Sequence, residues 1–368
     1  MLNLLSEMHL NYFKQSYGSC RNQFLESLNN VSEALIVDRQ EFAHPLAGPQ
    51  GEALFCDVVF LGQKADPDNV LVLISGTHGV EGFTGSAVQT DNLSLLSDVL
   101  LEQPDLGVVM IHAMNPWGFA WVRRCDHEGI DLNRNFIDFN EPLPIHAGYE
   151  SLSMKLDDLD LLSQEGLETL WDGMDFNEFV EQATRGQYQD AAGLFYGGSQ
   201  PSWSRRVLEE ITEHGFFKTA QRISVIDVHT GLGPYGYGEI INDHQPDSGG
   251  FYWAKHLYGD NAYSAHLGES CSAPKLGLLD YHWHEVVGDR GCFVTLEYGT
   301  YAVKDLIAEL LKEQLYHQSL KPGQTRDVQS TTVQSMKAFF YPFEPSWQQQ
   351  VLFRARQVIA MALSGMTE

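Results

Sequence analysis

Five nearly uninterrupted apolar segments, separated by helical patterns, set the strongest limit on how this chain of 368 residues can fold. These segments are Leu54–Gly62, Val70–Ser75, Val108–Ala113, Ile223–Val228 and Cys292–Tyr298. Strands that stay apolar along their length are typical of buried, largely parallel sheets. Helical patterns lie between and after them, at Gly82–Leu100, Trp203–His214, Tyr301–Tyr316 and Trp347–Leu363. The alternation predicts an α/β fold with a mixed, mostly parallel central sheet and helices on both faces.

The interval Phe139–Pro201 departs from this alternation. It is acidic, contains Pro142 and Pro144, and holds short helix-like pieces such as Gly166–Ala183. We therefore interpret residues 1–368 as a single domain with an insertion at about 139–201.

Charge excludes two classes of partner. The chain has 23 Lys and Arg against 49 Asp and Glu, a net charge of −26. Binding to nucleic acid or to anionic lipid needs clustered basic residues, so neither partner is expected. No apolar run approaches the ~20 residues that cross a bilayer, and the N-terminus is a poor signal peptide. We expect a cytoplasmic protein, and the sequence leaves its oligomeric state open.

Two histidines and a glutamate stand where strands end, the position at which open α/β sheets place ligand sites. His78 and Glu81 follow Val70–Ser75 and are three residues apart, so a helical turn would bring both side chains to one cation. His229 directly follows Ile223–Val228. Alone, each also fits a simpler role, as a helix-start carboxylate or a core histidine. Together they form the ligand set of a catalytic zinc site, which keeps a fourth position open for water.

Polar side chains also concentrate in the loop that follows Val108–Ala113. Arg124 and Arg134 can each present a planar fork to a carboxylate or a developing oxyanion, and Asn133 adds an amide donor. Asp131 is of the right type to accept the second ring N–H of a metal-bound histidine. Surface salt bridges are the alternative role for the two arginines.

Glu297 lies near the end of the apolar segment Cys292–Tyr298. A carboxylate in such a place is costly unless it has a partner or a function. Beside a metal-activated water it would be a general base that later gives the proton to the leaving amine. The alternative is a buried ion pair with an arginine.

With the motifs HxxE, RxxxxxxxxNRN, H and E in this order, the chain resembles the zinc carboxypeptidases of the carboxypeptidase A type, from about Val70 to Tyr301. It is similar to the bacterial uncharacterised branch of that clan, and its loop resembles that of the cytosolic carboxypeptidases. The resemblance implies a zinc carboxypeptidase/phosphorylase-hydrolase-like fold and one Zn²⁺ per chain.

Carried over position by position, the resemblance implies a role for each matching residue. These are the zinc ligands His78, Glu81 and His229, the catalytic Glu297, the carbonyl-polarising Arg124, the carboxylate-binding Asn133 and Arg134, and the histidine partner Asp131. The family's substrate-capping tyrosine precedes its glutamate by about two dozen residues, where this chain has no tyrosine. Tyr263 and Tyr281 lie on either side of that position, and Tyr281 is the candidate for substrate binding.

The leading hypothesis is a zinc-dependent metallopeptidase that hydrolyses an amide bond next to a free C-terminal carboxylate. The alternative enzyme is an N-acyl amino acid deacylase that resembles the aspartoacylase and succinylglutamate desuccinylase group. The substrate would then be an acylated amino acid instead of a peptide. A non-catalytic metal-binding or peptide-binding module is a third hypothesis.

Overall fold

One eight-stranded sheet organises the chain in the computed structural model, which describes residue 4 and residues 7–149, 175–321 and 323–367. The strands are β1 (Ile36–Ala43), β2 (Phe55–Gly62), β3 (Asn69–Ile74), β4 (Leu106–His112), β5 (Arg222–Tyr235), β6 (Gly238–Asn242), β7 (Ala262–Ser264) and β8 (Gly291–Gly299). Their order in the sheet is β1-β2-β4-β3-β5-β8-β6-β7. Four neighbouring pairs are parallel and three are antiparallel, which confirms the mixed, mostly parallel sheet.

The helices connect and cover these strands. They are α1 (Tyr17–Ser27), α2 (Gly82–Glu102), α3 (Pro116–Trp121), α4 (Phe176–Thr184), α5 (Trp203–Thr212), α6 (Gly215–Thr219), α7 (Gly249–Tyr258), α8 (Leu279–Val287), α9 (Val303–Ser319), α10 (Thr331–Phe340) and α11 (Pro345–Thr367). Short 3₁₀ turns occur at Leu10–Tyr12, Leu28–Asn30, Gly79–Glu81, Leu132–Arg134, Gly259–Asn261 and Gly288–Arg290. Over the described residues, no helix combines the length and the apolar character needed to cross a membrane.

Each face of the sheet has its own apolar core. Along β3, Leu71 and Leu73 pack into one core, whereas Val72 and Ile74 pack into the other, because successive side chains of a strand point to opposite faces. The first core includes side chains of α2, α9, α10 and α11, and the second includes side chains of α5, α6 and α8. Helices on both faces are therefore confirmed.

All five apolar segments of the sequence form strands, but their direction differs in one case. Leu54–Gly62 contains β2, which runs antiparallel to both of its neighbours, β1 and β4. Such a strand is part of the expected mixed sheet, because burial on both faces makes a strand apolar whatever its direction. Strands β1, β6 and β7 have no counterpart among the five segments.

The four helical patterns form α2, α5, α9 and α11, with ends shifted by a few residues. The helix-like piece Gly166–Ala183 falls partly outside the described residues, and its later part overlaps α4. Of the interval 139–201, the structure describes residues 139–149 and 175–201.

The four central strands bring the polar motifs to one edge of the sheet. Strands β4, β3, β5 and β8 are consecutive and parallel, so their carboxyl ends lie on the same side. The chain leaves β3 toward β4 on one side, and β5 lies on the other side. Such a switch point opens a crevice at the carboxyl ends of the strands.

A buried ion-pair network connects two segments near this crevice. Arg123 Nε lies 2.8 Å from Glu313 Oε1, and Arg326 Nη2 lies 2.7 Å from the same oxygen. Arg123 also donates to the Gln314 side chain at 2.7 Å. The network joins the loop after α3 to helix α9. Removing one partner of such a buried network leaves an uncompensated charge.

We predict that Glu313→Gln lowers the free energy of unfolding by about 3–5 kcal/mol, the cost of breaking a buried ion pair. Urea unfolding followed by circular dichroism measures the change. Glu213→Gln is the matched control, because Glu213 pairs with Lys218 on an exposed surface and should contribute little. Equal stability of the two variants would show that the Glu313 network is not a structural anchor.

The same network predicts a pH dependence. Burial alone would raise the pKa of Glu313, but Arg123 and Arg326 outweigh burial and lower it. A lowered pKa stabilises the folded state above the unfolded-state pKa of about 4.3, and this contribution is lost as the pH falls through the folded-state pKa. The stability difference between the wild type and Glu313→Gln should therefore shrink in acid. A difference that grows below pH 4 would contradict the prediction.

Candidate active site

The turn that carries the HxxE motif is held by backbone pairing with a neighbouring loop. Gly79 N donates to Arg124 O at 3.2 Å, and Val80 N donates to Arg123 O at 2.8 Å. A Cβ atom at Gly79 would lie 2.1 Å from the carbonyl carbon of Gly118, so only glycine fits this approach. The pairing brings the arginine loop against the turn Gly79–Glu81.

His78, Glu81 and His229 converge in the crevice. His78 Nδ1 lies 2.9 Å from Glu81 Oε1 and 3.2 Å from His229 Nδ1. His229 Nδ1 lies 3.3 Å from Glu81 Oε2. All three side chains are buried, and one potential ligand atom of each lies within 4.8 Å of the others. The structure thus brings together the three residues that the sequence proposed as metal ligands.

Carboxylates lie behind both histidines. Asp131 Oδ1 is 3.2 Å from His78 Nε2, and Asp227 Oδ2 is 2.8 Å from His229 Nε2. The Thr77 hydroxyl donates to the same Asp227 oxygen at 2.8 Å. In each imidazole, Nε2 therefore faces a carboxylate and Nδ1 faces the cluster, the arrangement that orients histidines toward a metal.

Sequence reasoning missed Asp227, although the signal was present. Asp227 and His229 are two residues apart in the motif DVHTG on strand β5, so their side chains share one face. An imidazole and a carboxylate on one face of a strand can contact each other directly. The contact between Asp227 and His229 could therefore have been predicted from their spacing in the strand.

The cluster attracts positive charge. Burial would lower the pKa of His229, but Asp227 and Glu81 outweigh it and raise that pKa well above its usual value. Burial would likewise raise the pKa of Asp131, but Arg124 and His78 lower it well below its usual value. Two inward ring nitrogens and one carboxylate, with the outer nitrogens fixed by carboxylates, fit a bound divalent metal ion.

Arg124 lies against this cluster. Its Nε donates to Asp131 Oδ2 at 3.0 Å, its Nη1 to Glu81 Oε1 at 3.3 Å, and its Nη2 lies 2.8 Å from His78 Nε2. The guanidinium carbon is 5.3 Å from the centre of the Phe195 ring. The guanidinium donates to two carboxylates, and the Nη2 contact is no hydrogen bond when His78 Nε2 carries the proton given to Asp131. Three of its five N–H groups then remain.

Glu297 faces the same space from strand β8. Its Cα is paired with that of His229 in the parallel ladder between β5 and β8. Its Oε1 accepts a hydrogen bond from Leu232 N at 2.9 Å, and the side chain is buried. Burial, reinforced by the nearby Glu81 carboxylate, raises the pKa of Glu297 to about 7. A carboxylate with this pKa can take up and release a proton near neutral pH.

Arg134 and Asn133 line the cavity on another side. Arg134 donates from Nε and Nη2 to Thr184 O, at 3.1 and 2.7 Å, and from Nη1 to Asn133 O. No carboxylate of the described residues forms an ion pair with Arg134. The Asn133 side-chain oxygen accepts a hydrogen bond from Leu279 N at 2.7 Å, which ties the turn Leu132–Arg134 to helix α8.

Tyr281 contacts the segment that carries Lys275. It is absent from the residues that line the cavity in the described chain, and its hydroxyl donates to Lys275 O at 2.8 Å. The substrate-binding role of Tyr281 stays a prediction. In the structure its side chain supports the segment before α8. Lys275, which the sequence analysis did not select, lines the cavity.

These residues surround one cavity of about 450 Å³. One side comes from the interval 139–201, which contributes Phe176, Val180, Glu181, Thr184 and Phe195. The lining also includes Asp243, Lys275 and Thr295. The volume is within the range of small-molecule sites, about 300–1,000 Å³.

Several solved structures are similar to this chain at low identity. Carboxypeptidase A from Helicoverpa armigera is 10% identical, with 96% of this chain and 73% of that chain covered and a TM-score of 0.49. A metallo-carboxypeptidase from Pseudomonas aeruginosa is 14% identical, with coverages of 93% and 68% and a TM-score of 0.42. An aspartoacylase family protein from Mesorhizobium loti is 16% identical, with coverages of 78% and 69% and a TM-score of 0.36.

A family model described as "Protein of unknown function (DUF2817)" matches residues 13–354. No curated protein sequence matches the chain. The functional proposal therefore depends on the chemistry of the site itself.

We predict that Asp227→Asn weakens metal binding about 10- to 100-fold, because the outer nitrogen of His229 loses its carboxylate. Competition with a chromophoric chelator, followed by spectrophotometry, measures the metal affinity. Asp38→Asn on the exposed strand β1 is the control and should bind metal as the wild type does. Unchanged affinity in Asp227→Asn would show that this carboxylate does not orient the histidine.

Proposed function

The chain belongs to the DUF2817 family, and we propose that it is a zinc-dependent hydrolase that cleaves an amide bond next to a free carboxylate. His78, Glu81 and His229 would hold the zinc ion, with one ion per chain. Two histidines and one carboxylate leave a coordination position open, as catalytic zinc sites do.

One observation carries this proposal. The three converging ligand residues, Glu297 and the unpaired Arg134 all line a single cavity. A structural metal site would be closed by a fourth protein ligand and would need neither a titratable carboxylate nor a free guanidinium beside it. The combination supports metal-assisted hydrolysis of a substrate that bears an anionic group.

Glu297 would move the proton. The chemistry that a bound zinc ion supplies is Lewis-acid activation of water and of the scissile carbonyl. Glu297 Oε1 accepts from Leu232 N, which leaves Oε2 to take the proton from water and deliver it to the leaving amine. The raised pKa of Glu297 favours both steps near neutral pH, the uptake of the proton from water and its release to the leaving amine.

The two arginines would position the substrate. Arg124, anchored by Asp131, would present its remaining N–H groups to the carbonyl oxygen as negative charge develops there. Arg134, with the Asn133 amide beside it, would bind the free carboxylate. No described carboxylate pairs with Arg134, and its Nη1 and Nη2 each keep one N–H for an incoming carboxylate after the bonds to Thr184 O and Asn133 O.

We predict that Glu297→Gln lowers the rate of amide hydrolysis by about 10²- to 10⁴-fold and leaves the zinc content at one ion per chain. Steady-state kinetics and elemental analysis measure the two quantities. Glu285→Gln on the exposed surface of α8 is the control and should keep both. Full activity in Glu297→Gln would overturn the proposed proton transfer, and a wild-type protein that binds no metal would favour a non-catalytic module.

A second substrate class is favoured by the shape of the site. Side chains of α4 and Phe195 form one side of the cavity, so the space beside Arg134 is bounded by protein. A small N-acylated amino acid would fit into this bounded space more easily than a long peptide. The second candidate is therefore an N-acyl amino acid deacylase that uses the same residues.

A substrate screen separates the two candidates. C-terminal trimming of peptides, followed by mass spectrometry, is expected for a carboxypeptidase. Release of acetate or succinate from acylated amino acids is expected for a deacylase. Activity on peptides longer than about four residues would exclude a site restricted to small substrates.

A further inference from the structure

Lys275 is a cavity-lining cation with no acidic partner at ion-pair distance. Its ammonium donates to the Ser272 hydroxyl and to Ala273 O, the latter at 2.8 Å. Among the described carboxylates, none lies within 4 Å of its Nζ. An ammonium has three N–H donors, so one remains available after these two bonds.

Arg134 is a second cation of this kind on the same cavity. Its hydrogen bonds go to the backbone oxygens of Thr184 and Asn133, which are neutral acceptors. A charge withdrawn from water needs a counter-charge or a full set of hydrogen bonds. Two cations without ion-paired carboxylates therefore indicate a ligand with two anionic groups.

The surroundings of Lys275 support this interpretation. Burial, reinforced by the positive charge of Arg134, lowers the pKa of Lys275 to about 8. Arg124 acts in the same direction, whereas Asp243 and Glu297 oppose it. Burial raises the pKa of Asp243, and no oxygen of its carboxylate lies within ion-pair distance of Lys275 Nζ. The ammonium thus lies in a desolvated place where an anion would be bound strongly.

The two cations are held in a fixed relation to each other. Phe136 N donates to Gly277 O at 3.0 Å, and Tyr281 donates to Lys275 O at 2.8 Å. Gly277 has a φ of +66°, and a Cβ atom there would lie 2.2 Å from Arg134 O. The segment that carries Lys275 is therefore packed directly against the backbone of Arg134. Such preorganisation favours a ligand whose two anionic groups have a defined spacing.

We propose that Lys275 binds a second anionic group of the substrate, so that the preferred substrate has an acidic side chain, aspartyl or glutamyl, beside its free carboxylate. The proposal rests on the proposed function, in which Arg134 binds that free carboxylate. Lys275 is then a residue that determines specificity. A neutral amide side chain of the same shape would leave the ammonium without its partner.

The test compares substrates that differ only in this charge. N-acetylglutamate and N-acetylglutamine form one pair, and two peptides that end in Glu or Gln form the other. The wild type should prefer the acidic member by about 10- to 100-fold in kcat/KM, the range of a hydrogen bond to a charged group. Lys275→Gln should lose this preference, because it should lower kcat/KM much more for the acidic member than for the amide member. Lys218→Gln, on the exposed surface, is the control and should keep the preference.

Binding measurements separate this proposal from the proposed function. Calorimetry with N-acetylglutamate and N-acetylglutamine reports the preference whether or not hydrolysis occurs. If no amide is hydrolysed but the wild type binds the acidic ligand more tightly and Lys275→Gln does not, the anion site stands and the hydrolase is wrong. If amides are hydrolysed with equal kcat/KM for both members, the hydrolase stands and the role of Lys275 is wrong.

A variant that keeps the positive charge distinguishes an effect of charge from a general loss of structure. Lys275→Arg should keep a measurable preference for the acidic ligand, because the positive charge remains. Circular dichroism of each variant shows whether the fold is intact. If Lys275→Arg and Lys275→Gln lose the preference equally while both remain folded, charge is not what the residue contributes and the proposal is overturned.

Discussion

The parallel hydrogen bonding of four central strands is the constraint on which the rest of the site depends. In its register, Ile74 pairs with Asp227 across β3 and β5, and His229 pairs with Glu297 across β5 and β8. A slip of one residue in either pairing would turn these side chains to the opposite face of the sheet. The apolar cores on the two faces prevent that slip, because it would expose the side chains that they bury. Core packing therefore sets the geometry of the polar site.

Burial and charge have opposite effects within this site. Desolvation penalises the charged forms of Asp131 and Glu81, yet the arginine and imidazole beside them hold both carboxylates ionised. Glu297 has no ion pair in the described chain, and its pKa moves in the other direction. The pKa values of Glu81 and Glu297, which line the same cavity, are thus shifted in opposite directions. Such a division of roles is typical of sites that bind a cation and also transfer a proton.

The sequence predicted the central strands and most of the polar residues because both depend on local pattern. A long apolar run indicates burial, and a polar side chain at its end lies at the sheet edge whatever the rest of the chain does. Strand β1 was missed because most of its side chains are exposed, so it carries no apolar run. The antiparallel direction of β2 was missed because direction depends on the connections between strands. Lys275 was missed for a related reason, since tertiary contacts set the path of the segment before α8 and so bring Lys275 to the cavity.

Arg123 and Arg124 are consecutive in the chain and serve different parts of the molecule. Arg123 reaches helix α9 through Glu313, whereas Arg124 reaches the cluster of His78, Glu81 and His229 through Asp131. Their backbone oxygens also hold the turn of the HxxE motif. Helix α9 and the cluster are therefore mechanically joined through two adjacent peptide units. Heating should release the helix and disorganise the cluster in one cooperative event, so that inactivation and unfolding share a single transition.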